Sequence, residues 1–120
     1  MGAERIAVIG NGIIGHGVAQ IFAAAGHPVQ LIGRNQASLD AALGKIKASL
    51  AEFVANDLLT SMEATAAIGR IATGTTLDAA RDTAMVIEAV TEDIPLKLKI
   101  FGELDALCGP DTILASSDRK

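Results

Sequence analysis

The chain has 120 residues, a net charge of −4, three phenylalanines and neither tryptophan nor tyrosine. Its basic residues are scattered and it lacks aromatic platforms for stacking on bases, so the composition excludes a nucleic-acid-binding surface. The apolar runs fall short of the roughly 20 residues that span a bilayer. One cysteine and two histidines offer neither a disulfide nor a zinc site. We predict no membrane segment, no signal peptide and no metal, and a single cytoplasmic domain over residues 1–120.

The most informative stretch is an apolar run, residues 6–9, that stops at glycines spaced G-x-G-x-x-G. The run reads as a strand buried on both faces. Gly10 permits a tight turn, Gly12 lets the backbone approach a pyrophosphate, and Gly15 lets the next helix pack closely. The free N–H groups at the start of that helix favour a phosphate without a lysine. We therefore predict a dinucleotide site at this glycine turn, which consists of Gly10, Asn11, Gly12, Ile13, Ile14 and Gly15. The alternative is a turn whose glycines serve packing alone.

A helix and a second strand follow the glycine turn. Apolar residues at helical spacing predict a helix over 13–25, with a stripe of Ile14, Val18, Ile21, Phe22 and Ala25. Gly26 ends this helix, and residues 29–32 read as a strand, which completes a β-α-β unit with a parallel pair. His16 and His27 are interpreted as helix-surface and turn residues, without a catalytic role.

Cofactor choice depends on the end of the second strand. Dinucleotide folds normally place an acidic residue there to bind the adenine ribose, and this chain has Gly33 followed by Arg34. Without the carboxylate, a 2′-phosphate is not repelled and Arg34 can pair with it, which favours NADP. The alternative is a solvated Arg34 and NAD bound through the backbone.

The remaining patterns predict three more helices and three more strands. A long amphipathic helix over 36–59 has a stripe of Leu39, Leu43, Ile46, Leu50 and Phe53. A capping box at Thr60 starts a short helix that runs to Gly69. The rest of the predicted elements are a strand over 70–73, a helical turn over 76–82, a buried strand over 84–90, a helix beginning near Pro95 that buries Cys108, and a strand over 112–116.

These elements predict a Rossmann-type α/β fold, an open parallel sheet with helices on both faces that stops after about five strands. With the order 3-2-1-4-5, residues 112–116 form an edge strand. Exposed strand edges pair with other chains. We therefore expect a homo-oligomer.

Glu88 interrupts an apolar strand near the expected cofactor cleft. Burying an unpaired carboxylate is costly, so this residue has two interpretations. One is a strand-end carboxylate in water, and the other is a polar group that faces cofactor or substrate. From the residues alone, Ser116 and Ser117 read as a strand terminus and Lys97 as a solvated helix residue.

Three stretches together resemble one family, the NAD-binding domain of 3-hydroxyacyl-CoA dehydrogenases. They are residues 6–29, the segment V-I-E-A-V-T-E-D over 86–93, and a group formed by Lys97, Phe101, Leu104, Asp105 and residues 113–116. The resemblance implies that the glycine turn binds pyrophosphate and that Glu88 lies by the nicotinamide end. It also implies that Ala89, Val90 and Lys97 contact the cofactor and that Ser116 is the family's active-site serine.

The chain departs from the family at Gly33, where the family has aspartate, and after Ser116, where the context differs. The family's catalytic His and Glu and its helical domain have no counterpart in these 120 residues. We therefore expect the NAD- or NADP-binding part of an oxidoreductase that transfers hydride between a 3-hydroxy substrate and the nicotinamide. Binding of an acyl-CoA-like substrate would require the absent domain. The alternatives are a non-catalytic dinucleotide-binding or sensing module and a β-hydroxyacid dehydrogenase-type domain, against which the segment over 86–93 argues.

Overall fold

The computed structural model describes residues 4–10, 13–89, 94–108 and 112–116. The strands are β1 (Ile6–Ile9), β2 (Val29–Ile32), β3 (Ile71–Gly74), β4 (Met85–Glu88) and β5 (Ile113–Ser116). The helices are α1 (Ile13–Ala24), α2 (Gln36–Ala55), α3 (Ser61–Gly69), α4 (Ile94–Leu107) and a short 3₁₀ helix, Leu77–Ala80. Of Ile13, Ile14, residues 94–97 and Ser116, only the backbone is described.

The strands form one parallel sheet in the order β3-β2-β1-β4-β5. The predicted order is therefore confirmed. The register pairs Ile9 with Ile32 on one side and with Glu88 on the other, and it pairs Glu88 with Ser116. The carboxyl ends of the five strands thus lie along one edge, where ligands bind in open α/β sheets.

Helices cover both faces of the sheet, as predicted for a Rossmann-type fold. On one face, α1, α2 and α3 enclose a core that includes Val8, Leu31, Leu39, Ile46 and Leu50. On the other face, α4 and the 3₁₀ helix enclose a second core of Ala7, Ile9, Ile32, Ala80, Val86, Ile100 and Leu104. No helix among the described residues is long and apolar enough to cross a membrane.

The predicted apolar stripe of α1 is wrong at two positions. Ile21 is 68% exposed and Ala25 is exposed, whereas Ala19 and Ala23 are fully buried. These two alanines follow Gly15 at four-residue steps and so lie on the same side of α1. Because the helix approaches the sheet closely at Gly15, small side chains fill the interface. The larger Ile21 lies on the outer side.

The helix α2 ends at Ala55, four residues earlier than predicted. Asn56 caps it, and Asp57 adopts a left-handed conformation with φ of 61° that stops the helix. Phe53 belongs to the predicted stripe but is exposed, so the prediction is wrong at this position. The buried stripe comprises Leu39, Ala42, Ile46 and Leu50.

The capping box at the start of α3 is confirmed. The Thr60 hydroxyl accepts from the Glu63 N–H at 3.0 Å, and the Glu63 carboxylate accepts from the Thr60 N–H at 2.9 Å. The third strand begins one residue later than predicted because Arg70 ends α3. The predicted helical turn over 76–82 is the 3₁₀ helix.

The fourth strand is shorter and less buried than predicted. It spans Met85–Glu88, with Val86 and Glu88 buried and Met85 and Ile87 half-buried. Its two half-buried residues pack at the border of the larger core. The fifth strand starts at Ile113, one residue later than predicted.

Candidate functional site

Small residues lie at the carboxyl ends of four neighbouring strands. Gly10 follows β1, Gly33 follows β2, Gly74 ends β3 and Ala89 follows β4. Backbone hydrogen bonds run from the Gly10 N–H to the Ile32 oxygen (2.8 Å), from Gly33 to Gly74 (3.1 Å) and from Ala89 to Ile9 (2.7 Å). Since their side chains are at most a methyl group, a ligand can lie directly against this backbone. We call these four residues the carboxyl crest.

The first connection leaves the crest through a turn that requires glycine. Gly10 has a φ of 106°, a left-handed conformation that side chains rarely adopt. A Cβ on Gly15 would lie 1.8 Å from the Gly10 carbonyl oxygen and 3.7 Å from the Cβ of Ala89. The tight turn and the close approach of α1 predicted from the glycine spacing are therefore both present. Asn11 and Gly12 lie outside the described residues.

The amino end of α1 adjoins this turn. The helix begins at Ile13, and its first turn contains no acidic side chain that would offset the positive end of the helix dipole. His16, which the sequence predicted as a helix-surface residue, lies in the same turn and is half-buried. The N–H groups and the positive dipole of a helix amino end suit a phosphate.

The chain after β2 forms the second corner of the site. Gly33 is half-buried and Arg34 is exposed. Asn35 caps α2, its side chain accepting from the Ser38 N–H at 2.8 Å. The first turn of α2 contains no acidic residue. Arg34 thus directly precedes the N-cap of a 20-residue helix, in the segment after β2 where dinucleotide folds place the adenine ribose.

A hydrogen bond that the sequence did not predict stabilises this corner. The Gln36 amide donates to the Thr73 hydroxyl at 3.1 Å and to the Asp40 carboxylate at 3.0 Å. It links the first turn of α2 to the end of β3, next to Gly74. The only sequence signal for this corner is Gly74, which ends the A-T-G stretch, because a glycine in a strand often marks a place where a ligand or another backbone approaches closely.

Glu88 is fully buried, with 0% exposure, at the last position of β4. The interpretation as a strand-end carboxylate in water is therefore wrong. Alternation along the strand places Glu88 on the same face as Val86, which belongs to the core under α4. In the register, the backbone of Glu88 lies between Ile9 of β1 and Ser116 of β5. The structure thus brings together Glu88 and the backbone of Ser116.

Three further predicted residues can be placed only in part or not at all. Val90 and Ser117 lie outside the described residues, and Lys97 is placed by its backbone in the first turn of α4. Among the described residues, no group of three His, Cys, Asp or Glu side chains is arranged to hold a metal ion.

The contacts of His27 and Cys108 indicate structural roles. His27 lies before β2, at the amino ends of the strands, where its Nδ1 meets the Glu4 carbonyl oxygen at 2.8 Å and its ring packs edge-on against Phe22. Its interpretation as a turn residue is confirmed. Cys108 is half-buried one residue beyond α4, not inside it as predicted, and packs against the second core. Burial raises the pKa of its thiol, the nearby Arg81 lowers it and Asp82 raises it.

A parallel sheet in this order, with a glycine turn leading into a helix after the central strand, defines a Rossmann-type dinucleotide-binding domain. The family model described as "3-hydroxyacyl-CoA dehydrogenase, NAD binding domain" matches residues 5–118. The chain belongs to this family.

Relatives of known name agree with this assignment. The chain is 34% identical to "3-hydroxybutyryl-CoA dehydrogenase" of Clostridioides difficile, over 94% of this chain and 40% of that enzyme. It is 37% identical to "Probable 3-hydroxybutyryl-CoA dehydrogenase" of Bacillus subtilis, over 98% of this chain and 41% of that protein. The crystal structure of 3-hydroxybutyryl-CoA dehydrogenase from Escherichia coli K12 superposes with a TM-score of 0.93 at 30% identity, covering 98% of this chain and 25% of that one. The chain therefore spans about 40% of the two curated relatives.

Proposed function

We propose that this chain binds a nicotinamide dinucleotide along its carboxyl crest and acts as the cofactor half of an oxidoreductase for 3-hydroxyacyl-CoA-like substrates. The main observation behind the proposal is the close approach of Gly15 to the carbonyl oxygen of Gly10, which places the amino end of α1 next to the carboxyl crest. A dinucleotide needs backbone without side chains beside a helix amino end, and the described residues provide both.

The residues divide the site into a phosphate end and a nicotinamide end. The glycine turn, residues 10–15, would hold the pyrophosphate against the amino end of α1. Glu88, Ala89 and Val90 would border the nicotinamide, with Lys97 as a further cofactor contact. Ser116, adjacent to Glu88 in the register, would lie on the substrate side. The bound nicotinamide supplies the hydride acceptor, and the chain supplies binding and orientation.

We infer that the site accepts NADP, although the family model describes an NAD-binding domain. Gly33 offers no carboxylate for the ribose hydroxyls, and Arg34 is exposed beside an α2 amino end that lacks acidic residues. A 2′-phosphate would meet two positive partners and no negative one.

Turnover requires a base within hydrogen-bond reach of the substrate hydroxyl. The described residues include His16 in α1 and His27 at the amino ends of the strands, and His27 lies on the opposite edge from the crest. If no base of this chain reaches the substrate hydroxyl, the chain binds the dinucleotide without turnover, and this is the second candidate function, a non-catalytic dinucleotide-binding module. The cytoplasmic location remains a prediction.

Calorimetric titration of the purified chain with NADH and NADPH tests the binding proposal. A side chain at Gly12 would occupy the space for the pyrophosphate, so Gly12→Val should abolish binding. Gly17→Ala is the control, because a Cβ at Gly17 meets nothing within 4 Å in the structure. Unchanged affinity in a folded Gly12→Val variant would contradict the proposal.

A further inference from the structure

A second concave surface lies between α2 and α3. The two helices form a hairpin joined by residues 56–60. A groove of about 430 Å³ runs between them, and its walls are aliphatic: Leu50, Ala51 and Val54 of α2, and Ala64 and Ile68 of α3. We call this surface the hairpin groove. Its volume lies within the range of about 300–1,000 Å³ that is typical of small-molecule sites, whose linings are also mainly apolar.

The lining follows one stripe on each helix, over residues 47–54 of α2 and 61–68 of α3. Within each stripe the lining residues recur at steps of three and four, so they lie on one face of their helix. Each stripe is about 10 Å long at 1.5 Å per residue. Lys47, where the α2 stripe begins, lies about 16 Å along the helix axis from Gln36, the first residue of α2. The groove is therefore separate from the cofactor site.

Three polar side chains complete the lining of the groove. They are Lys47 of α2 and Ser61 and Thr65 of α3, all of which are exposed. Within the part of the chain that the structure describes, none of these three side chains has an ion-pair or hydrogen-bond partner. An ammonium and two hydroxyls are thus available to a ligand that enters the groove.

The charge of Lys47 is not balanced by a carboxylate in the lining. Residues 43–51, which extend one turn to either side of Lys47, contain no acidic side chain. Asp40 lies two turns away on α2, and its carboxylate accepts from the Gln36 amide at 3.0 Å. The other exposed carboxylates of the hairpin are not lining residues: Glu52, Asp57 and Glu63. The lining therefore has one positive charge and no negative charge.

We propose that the hairpin groove binds an aliphatic monocarboxylate of medium chain length, such as octanoate. The ammonium of Lys47 pairs with the carboxylate. The alkyl chain lies along the groove towards Ser61 and covers the aliphatic walls, which removes apolar surface of both partners from water.

The charge and the size of the groove select this class of ligand. One cation matches one negative charge, whereas a nucleotide or a coenzyme A ester carries several phosphates that would meet a single ammonium. A groove two helical turns long is also short for a partner protein, since stable interfaces bury about 800 Å² on each side. An aliphatic chain with one anionic end fits both limits.

Calorimetric titration of the whole chain with octanoate, below the concentration at which it forms micelles, tests the proposal. We expect saturable binding of one octanoate per chain and no binding of octylammonium, which has the same tail and the opposite charge. Butyrate should bind about tenfold more weakly or worse, because it buries fewer methylene groups. Salt should weaken octanoate binding, because it screens the ion pair.

Two pairs of variants locate the site. Lys47→Met should weaken octanoate binding by about fivefold, as for an exposed ion pair, and Lys45→Met is its control because Lys45 is exposed but does not line the groove. Lys47→Glu should reverse the preference and bind octylammonium. Ala51→Asp places a carboxylate one turn from Lys47 and should abolish binding, whereas Ala48→Asp, at an exposed position outside the lining, should not. Circular dichroism verifies that the variants fold.

The proposal is independent of the proposed function, because octanoate binding should be the same with and without saturating NADPH and in Gly12→Val. Competition between octanoate and NADPH would place the carboxylate at the crest and overturn the proposal. Absence of saturable binding would overturn it as well. Equal binding of octanoate and octylammonium, or an equal loss in Lys45→Met and Lys47→Met, would show that Lys47 does not select the ligand and would also refute it.

Discussion

The carbonyl oxygen of Gly10 occupies the space that a side chain on Gly15 would need. Neither group can withdraw easily, because the Gly10 N–H is bound to the Ile32 oxygen and Gly15 lies within α1. We expect Gly15→Ala to destabilise the fold by about 3 kcal/mol or more, the upper end of overpacking costs. Urea unfolding measures this, with Gly17→Ala as a control that should be neutral or stabilising by up to about 1 kcal/mol. Equal stability of the two variants would contradict the close approach.

Restoring a carboxylate at the end of β2 should change cofactor choice. In Gly33→Asp the new side chain can accept from the ribose hydroxyls and repels a 2′-phosphate. The NAD/NADP affinity ratio should shift towards NAD by about 1–3 kcal/mol, typical of hydrogen bonds with a charged partner. The control is Gly102→Asp, which adds the same charge on the exposed side of α4. The same ratio in both variants would argue against the end of β2 as the site of the adenine ribose.

Arg70 should contribute to stability through one hydrogen bond. Its guanidinium donates to the Ala23 carbonyl oxygen at 2.7 Å and so ties the end of α3 to the last turn of α1. Arg70→Ala leaves that carbonyl without its charged donor, and we expect a loss of about 1.5–3 kcal/mol in the free energy of unfolding. Arg34→Ala removes an exposed arginine as the control and should leave thermal stability unchanged. A loss of the same size in both variants would mean that net charge, and not the hydrogen bond, sets the effect.

The thiol of Cys108 should be protected in the folded chain. Burial is the largest cause of its raised pKa, so the folded state favours the neutral thiol. This contribution to stability is complete below the ordinary thiol pKa of about 8.5 and declines as pH rises through the folded value. We expect iodoacetamide to react more slowly with the native chain than with the urea-unfolded chain at pH 8.5. Equal rates would show that the thiol is accessible.

The 120-residue chain should bind cofactor without oxidising a 3-hydroxyacyl-CoA. Substrate positioning supplies a large part of such a barrier, and of the two described histidines His27 lies at the amino ends of the strands, away from the crest. Absorbance of the reduced nicotinamide should therefore stay constant when substrate and NAD or NADP are mixed with the chain. Turnover that disappears in Glu88→Gln would identify a catalytic group on this chain.

The strand positions and the glycine turn could be predicted because each depends on a local signal, and the sheet order was predicted from the usual order of the fold that these signals indicate. Periodic apolar runs locate the strands, and the spacing after Ile9 requires a backbone that only glycine allows at Gly10. The inner face of α1 could not be predicted in the same way. Its small residues face the sheet only because Gly15 sets the distance, and that contact is visible only in three dimensions.

The burial of Glu88 and the groove between α2 and α3 could not be predicted from the sequence, because both depend on tertiary structure. A single polar residue at a strand end reads equally well as solvated or buried, and the packing of β1, β5 and α4 decides. The groove results from the spacing of two helices whose individual patterns are ordinary. The corner formed by Gln36 and Thr73 joins residues that lie far apart in sequence.

Of the five strands of the sheet, the central strand β1 is synthesised first, yet its two neighbours are synthesised at very different times. β2 follows after one helix, whereas β4 follows only after two more helices and β3. A nascent chain can therefore form the β1-α1-β2 unit early, but one side of β1 stays open until Met85–Glu88 has emerged. Closure of that long loop is expected to be slow. During synthesis, the backbone of β1 on that side is an unpaired edge that can bind another strand, and the nicotinamide end of the crest is the last part of the site to exist.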